Sequence, residues 1–246
     1  MEPVPAVGDT LHLNLEKVIA QNPTVAFAVT KRTDLPQALQ RLGVRCVALE
    51  SDTMAELLDA VRSIGRETGH TAEAEALVRK MQADLEAVRR RVAGRPRPSV
   101  LFAFPIMIGS PQIMVAGRGT FVDNLINAAG GRNAYPEAGD WPTVSAQRAI
   151  ALAPEVVIVS AAGDDAAPDR IEAVRRAWAH WTSIPAVSSG RVHILTEPYL
   201  TIPGPRVGLA AQRLADVIHP ETAAPAGESP AASAAGSAAA AAGASP

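Results

Sequence analysis

One stretch of this 246-residue chain limits how the rest can be arranged: Thr71 to Gly94 carries the pattern of a single long helix. Leu77, Met81, Leu85, Val88 and Val92 recur at spacings of four, four, three and four, which sets them on one stripe of a 3.6-residue helix. Val78 and Ala74 widen the stripe. Glu73 and Glu75 stand early and Arg89, Arg90 and Arg91 stand late, the order that the helix dipole favours. Thr71 is placed to cap the first turn, and Gly94 to stop the helix before Pro96. At 1.5 Å per residue such a helix is roughly 33 Å long, the width of a small domain. It can brace two bodies of the chain or lie as an ordinary surface helix, and periodicity allows both.

The flanking sequence favours two bodies. Before the long helix, Asn14–Ala20 reads as a two-turn helix, Thr24–Val29 as a strand, Leu35–Leu42 as a helix stopped by Gly43, and Val44–Leu49 as a strand. Ser51 or Asp52 is placed to cap a further helix, Met54–Ile64. After it come a strand over Ser99–Phe104, an extended piece over Ile113–Ala116 and a helix over Thr120–Ala129. There follow a helix over Ala146–Leu152 capped by Ser145, a strand over Glu155–Ser160, a helix over Ile171–Trp181, a strand over Val192–Leu195 and a helix over Val207–Ile218. Alternating strands and helices on both sides indicate parallel α/β layers. There is also an internal echo. NLEKVIAQNPTVAFAV (14–29) and SAQRAIALAPEVVIVS (145–160) share a short helix, a proline that ends it and an apolar strand that starts one or two residues later.

Composition removes several function classes. With 48% hydrophobic and 20% charged residues the chain can bury a sizeable core, and a net charge of −2 leaves no basic footprint for nucleic acid. No apolar run is long enough to span a bilayer, and no secretory signal follows Met1 in the sequence as it stands. Cys46, the single cysteine, excludes an internal disulfide and reads as a buried small hydrophobe. Thr222–Pro246 is almost wholly Ala, Gly, Ser and Pro, a composition expected to stay disordered.

Enzyme and metal motifs are weak. Gly117-Arg118-Gly119 opens a helix, but Val122 stands where a dinucleotide fingerprint needs its third glycine, so a tight turn is the simpler role. His12, His70, His180, His193 and His219 have no metal-ligand spacing, and no nucleophile elbow appears. His180 lies between Trp178 and Trp181 in a group that reads as packing.

The paired segments, together with VAGRGTFVDNLINAAGGRNAY, the run from Trp181 through IPAVSSGRVHIL and the final PGPR helix, resemble the helical-backbone periplasmic binding proteins that serve ABC importers of cobalamin, siderophores and haem. The resemblance covers roughly residues 5–220, because order, spacing and both half-repeats match as a set. It implies an α/β fold of two Rossmann-like lobes joined by one long helix. The expected divisions are a partial N-terminal lobe over 1–70, the connecting helix over 71–94, a C-terminal lobe over 95–220 and a tail over 221–246. Family members carry an opening strand and helix before the segment matched by Val7–Asp9, so the first lobe is expected to be incomplete and the record truncated.

The resemblance also implies site residues. Trp141, in a Gly-Asp-Trp-Pro turn, is the leading ligand-contact candidate and Tyr199, in the Pro-rich TEPYLTIPGPR loop, a second; both fall on cleft-facing aromatic positions, with a core anchor as the alternative role. Ile106 and Met107 fall in a loop that lines the cleft in relatives, and Arg206 is placed to bind an anionic ligand group or to cap its own loop. Val29 stands where cobalamin binders have a tryptophan, which weakens the case for cobalamin. His12 and His193 are haem-ligand candidates if they face the cleft. Glu16 matches an acidic residue that docks on permease arginines, whereas its counterpart falls on Gln147, which accepts a hydrogen bond but forms no ion pair.

The function implied is an extracytoplasmic or periplasmic monomer with no cofactor of its own. It would deliver an iron-siderophore, cobalamin or haem-type ligand to an ABC importer permease, without covalent chemistry. Two alternatives stay open from sequence: an α/β enzyme that uses the same cleft for a cofactor, and a truncated homologue that no longer binds ligand.

Overall fold

The computed structural model describes residues 5–8, 13–29, 35–105, 112–139 and 141–222. The disordered tail expected over Thr222–Pro246 lies outside them from 223 onward, as do Ile106, Met107 and His12, while Thr222 itself ends a short 3-10 turn, Pro220–Thr222.

Three sheets occur among the described residues. Strands β1 (Ala26–Val29) and β2 (Cys46–Leu49) pair in parallel, with helix α1 (Leu15–Ala20) before them and α2 (Leu35–Arg41) between them. Helix α3 (Met54–Glu67) leads into α4 (Thr71–Val92). The rest comprises β3 (Ser99–Ala103), β4 (Gln112–Met114), α5 (Phe121–Ala128), β5 (Arg132–Asn133), β6 (Thr143–Ser145), α6 (Ala146–Ala151), β7 (Val156–Ser160), α7 (Pro168–Ala179), α8 (Pro185–Ser188), β8 (Val192–Leu195) and α9 (Val207–Ile218). Four of these strands form an all-parallel sheet in the order β5-β3-β7-β8, and β4 and β6 make a small antiparallel ladder.

Every residue of β3 and β7 is buried, as expected of central parallel strands covered on both faces. Val100, Phe102, Val156 and Ile158 point to one face, beneath α4, α5 and α9. Leu101, Ala103, Val157 and Val159 point to the other, where Trp178 is buried and Trp181 is partly buried. The two indoles meet edge to face at 4.9 Å, so the packing reading holds for them, while His180 is exposed and contacts the Arg176 carbonyl.

Helix α4 is the long helix that its periodicity requires. Ala74, Val78, Met81, Leu85, Val88 and Val92 are its buried stripe; Leu77 is only partly buried. Its neighbours change along its length, with α3 beside the first half and α9 and α5 beside the second. Two of these approaches need glycine. A Cβ on Gly208 of α9 would lie 2.5 Å from the Asp84 Cβ, and one on Gly65 of α3 would collide with Ala74. Arg91 further ties α4 to α9 through Asp216 at 2.9 Å and the Gln212 carbonyl.

Several boundaries differ from the sequence reading. His70, not Thr71, precedes α4, without a side-chain cap, because the chain leaves α3 in a tight turn in which the His70 amide bonds the Gly65 carbonyl. Thr53, not Ser51 or Asp52, caps α3: its hydroxyl accepts from the Glu56 amide while Glu56 accepts from the Thr53 amide, a reciprocal box that sets the helix start. That helix also runs three residues beyond Ile64. The Cys46 side chain is half-buried rather than buried, since β2 has a sheet neighbour on one side only among the described residues.

The internal echo is stricter than the sequence pattern. At a constant offset of 131 residues, N-caps Asn14 and Ser145 hold the short helices α1 and α6. Asn22 (φ 47°) and Ala153 (φ 44°) both take left-handed backbone just before Pro23 and Pro154. Each proline thus stands beyond the helix end, and the following strand starts three or two residues later. The left-handed residue turns the chain where the proline forbids further helix. Ahead of each short helix is an antiparallel contact, Gly8 with Leu13 in one case and β4 with β6 in the other.

Candidate functional site

In open parallel sheets, ligands sit beyond the carboxyl ends of the strands, where Phe104 after β3 and Tyr199 after β8 are both partly exposed. Phe104 directly follows β3 and half-emerges from the core. Its ring meets Trp141 edge to face, centroids 5.1 Å apart at 71°, and meets the buried Phe102 at 6.4 Å. Trp141 is held because the chain enters β6 directly after it and the Pro142 carbonyl accepts from the Val115 amide. Only 4% of the residues are aromatic, so three touching rings at one sheet end form a distinct wall.

Tyr199 stands beyond β8 in a short 3-10 turn, Pro198–Leu200, and packs against the core that also carries Trp141. The Arg206 guanidinium lies 5.6 Å from its ring centroid, a cation–π distance, and Arg206 itself is exposed. Burial, and then the Glu197 carboxylate, push the Tyr199 phenol above its ordinary range, so it stays a neutral donor at physiological pH. Glu197 is in turn fixed by Arg213 at 2.7 Å, which anchors the turn to α9.

Val29, the last residue of β1, is 58% exposed and lies in the wall of a cavity of about 460 Å³. The rest of that wall comes from Leu49 at the end of β2, from α3 and the start of α4, and from Pro203–Pro205, just before Arg206. The sequence candidates therefore divide: Tyr199 and Trp141 pack on one core, Arg206 covers Tyr199, and Val29 lines an apolar cavity whose Leu57, Val61 and Leu77 also join that core.

His193 is not at the strand ends. It sits in the middle of β8, partly buried, and burial together with Arg191 and Arg213 lowers its basicity. No cluster of three or more histidine, cysteine or carboxylate side chains able to hold a metal occurs among the described residues. Gly117–Gly119 makes a tight turn: Gly119 has φ 91° and its amide bonds Asp123 at the start of α5.

Glu16 and Gln147 occupy equivalent second positions of α1 and α6, and both are exposed. Next to Gln147, Arg148 is paired with Glu137 at 2.6 Å, and Glu137 also accepts the Tyr135 hydroxyl at 2.6 Å. Sequence reasoning missed Phe104, which it read only as the end of a strand. It also missed the part played by Leu57, Ile64 and the Pro203–Pro205 loop in the cavity. The scarcity of aromatics was a signal for Phe104, and no sequence signal marks the cavity.

Comparison with known proteins places this arrangement. The sequence profile of the periplasmic binding protein family matches residues 2–199. An ABC transporter substrate-binding lipoprotein of Bacillus subtilis, YvrC, is 23% identical over 224 residues, 89% of this chain and 69% of that protein. The vitamin B12-binding protein of Salmonella typhi is 22% identical over 209 residues, 84% of this chain and 73% of that protein. Among solved structures, a periplasmic heme-binding protein from Pseudomonas aeruginosa superposes with a TM-score of 0.71 at 25% identity, covering 88% of this chain and 79% of that one. The chain belongs to the periplasmic binding protein family, in the helical-backbone class that serves ABC importers, and is a binding protein rather than an enzyme.

Proposed function

We propose that this protein is an extracytoplasmic solute-binding protein that captures an iron-siderophore, cobalamin or haem-type ligand between two lobes and delivers it to an ABC importer permease. The observation that carries the reading is the aromatic wall of Phe104 and Trp141 at the strand ends, with Tyr199 and its covering Arg206 on the next loop. Aromatic faces suit a large flat macrocycle or chelate, and an exposed guanidinium suits a carboxylate on it. The vitamin B12-binding and heme-binding relatives support that ligand range.

In this reading residues 1–70 form the N-terminal α/β lobe, 71–94 the connecting helix and 95–220 the C-terminal lobe. The 131-residue repeat, with α4 between its copies and in contact with α3 before it and with α5 and α9 after it, supports the division. The first lobe contributes two described strands and the second six, four of them in the parallel sheet. The protein acts as a monomer. Its exposed helices α1 and α6 dock on the permease, Glu16 through an ion pair and Gln147 through hydrogen bonds only. An extracytoplasmic location is supported by the relative named as a lipoprotein, and no helix among the described residues is long and apolar enough to cross a membrane.

The test is a titration followed by tryptophan fluorescence, with hemin, cyanocobalamin and a ferric hydroxamate as separate probes. One of them binds, and Trp141→Ala weakens it at least tenfold. Unchanged affinity in that variant assigns Trp141 to the core instead.

A further inference from the structure

The cavity beside Val29 differs in chemistry from the aromatic wall. Its volume, about 460 Å³, falls in the range of small-ligand pockets, roughly 300–1,000 Å³. Its sides are branched aliphatic groups, chiefly Leu57, Val61, Ile64 and Leu77, and no Phe, Tyr or Trp among the described residues lines it. The polar side chains in its lining are Ser51, Thr68, His70 and Glu73. It is open rather than enclosed: Val29 and Ile64, at 58% and 38% exposure, stand in its wall without cover. The aliphatic lining offers no flat surface for a ring to stack on, but it matches a saturated chain, which gains from burial alone. One wall, Pro203–Pro205, belongs to the loop that carries Tyr199 and Arg206, so a ligand held at those residues has this cavity within reach of a substituent.

We propose that the cavity binds an alkyl chain carried by the transported solute, so that the preferred ligand is an amphipathic chelate with its head at the aromatic wall and its chain among Leu57, Val61, Ile64 and Leu77. This assignment rests on the binding function proposed above.

Two measurements on the full chain test it. In the first, linear alkanols of increasing length displace the neutral fluorophore N-phenyl-1-naphthylamine. Affinity should rise about fourfold per methylene until the cavity is full and then level off. Val61→Phe should move the plateau to shorter chains, and Ile64→Glu should weaken every member of the series. Circular dichroism and Tm establish that both variants are folded. A series with no dependence on chain length, or one unchanged in both folded variants, overturns the assignment. In the second, the ferric complexes of octanohydroxamate and acetohydroxamate are compared. The octyl complex should bind at least tenfold more tightly, and the gap should close in Val61→Phe. Equal affinities in the unmodified chain overturn the link to the transported solute. The Trp141→Ala titration reads the aromatic wall separately, so failure of the wall and failure of the cavity give different patterns.

Discussion

Arg206 and two histidines, His193 partly buried and His219 buried, make separate predictions. Arg206 is exposed above the Tyr199 ring, and its charge matters only to a ligand that carries the opposite one. Arg206→Ala should weaken hemin, which has carboxylates, about three- to tenfold, more at low salt than at high salt, and leave cyanocobalamin unaffected. Parallel titrations at two ionic strengths check this. His193 and His219 are both less basic than in the unfolded chain, chiefly through burial. A histidine with a depressed folded pKa binds its proton more readily once unfolded, so protonation favours unfolding. Stability from both groups is complete above the ordinary histidine value near 6.5 and declines as pH falls below it. Thermal melts from pH 8 to pH 5 should show the decline, and His219→Gln should flatten part of it. Phe104 illustrates what sequence could not yield at this scale. Its place at the end of an apolar strand was legible, but contact with Trp141, thirty-seven positions later, depends on how two loops meet at one sheet edge.

Elements with a strong local signal were legible almost to the residue. β8 and α9 have the bounds that alternation and helical periodicity require, and α4 differs by its cap alone. β5 and β6 were missed because two- and three-residue strands have no period of their own and exist only through their partners β3 and β4. The box that starts α3 was present as Thr53 and Glu56, yet Ser51 and Asp52 are equally good caps on composition; only the backbone path selects among them. Thr53→Ala should cost about 1 kcal/mol, read from urea unfolding. A larger effect is expected where helices touch through glycine. Gly208→Ala puts a methyl group on the Asp84 side chain and forces α9 from α4, at a cost of about 1–3 kcal/mol. A Tm lowered by several degrees with unchanged helicity is the expected result.

For the whole molecule, the α/β class was readable from strands and helices that alternate on both sides of α4, an amphipathic helix about 33 Å long. The ligand was not readable, since it depends on which side chains meet at the strand ends. Helix α4, continuous and gripped by α3 on one half and by α9 on the other, should keep any rotation between ligand-free and ligand-bound forms below about 20°. Crystal structures of the two forms measure it. Glu16→Lys should impair stimulation of importer ATPase more than Gln147→Lys, because only Glu16 offers a charge to lose. A brace this stiff also bears on how the importer senses cargo. With little change of outline on loading, the empty protein presents nearly the same docking face as the full one. The coupling between cargo and docking is then close to zero, and by reciprocity the importer does little to loosen the cargo merely by holding the outer surface. Empty copies therefore compete for the importer, and uptake should slow when the binding protein outnumbers its cargo.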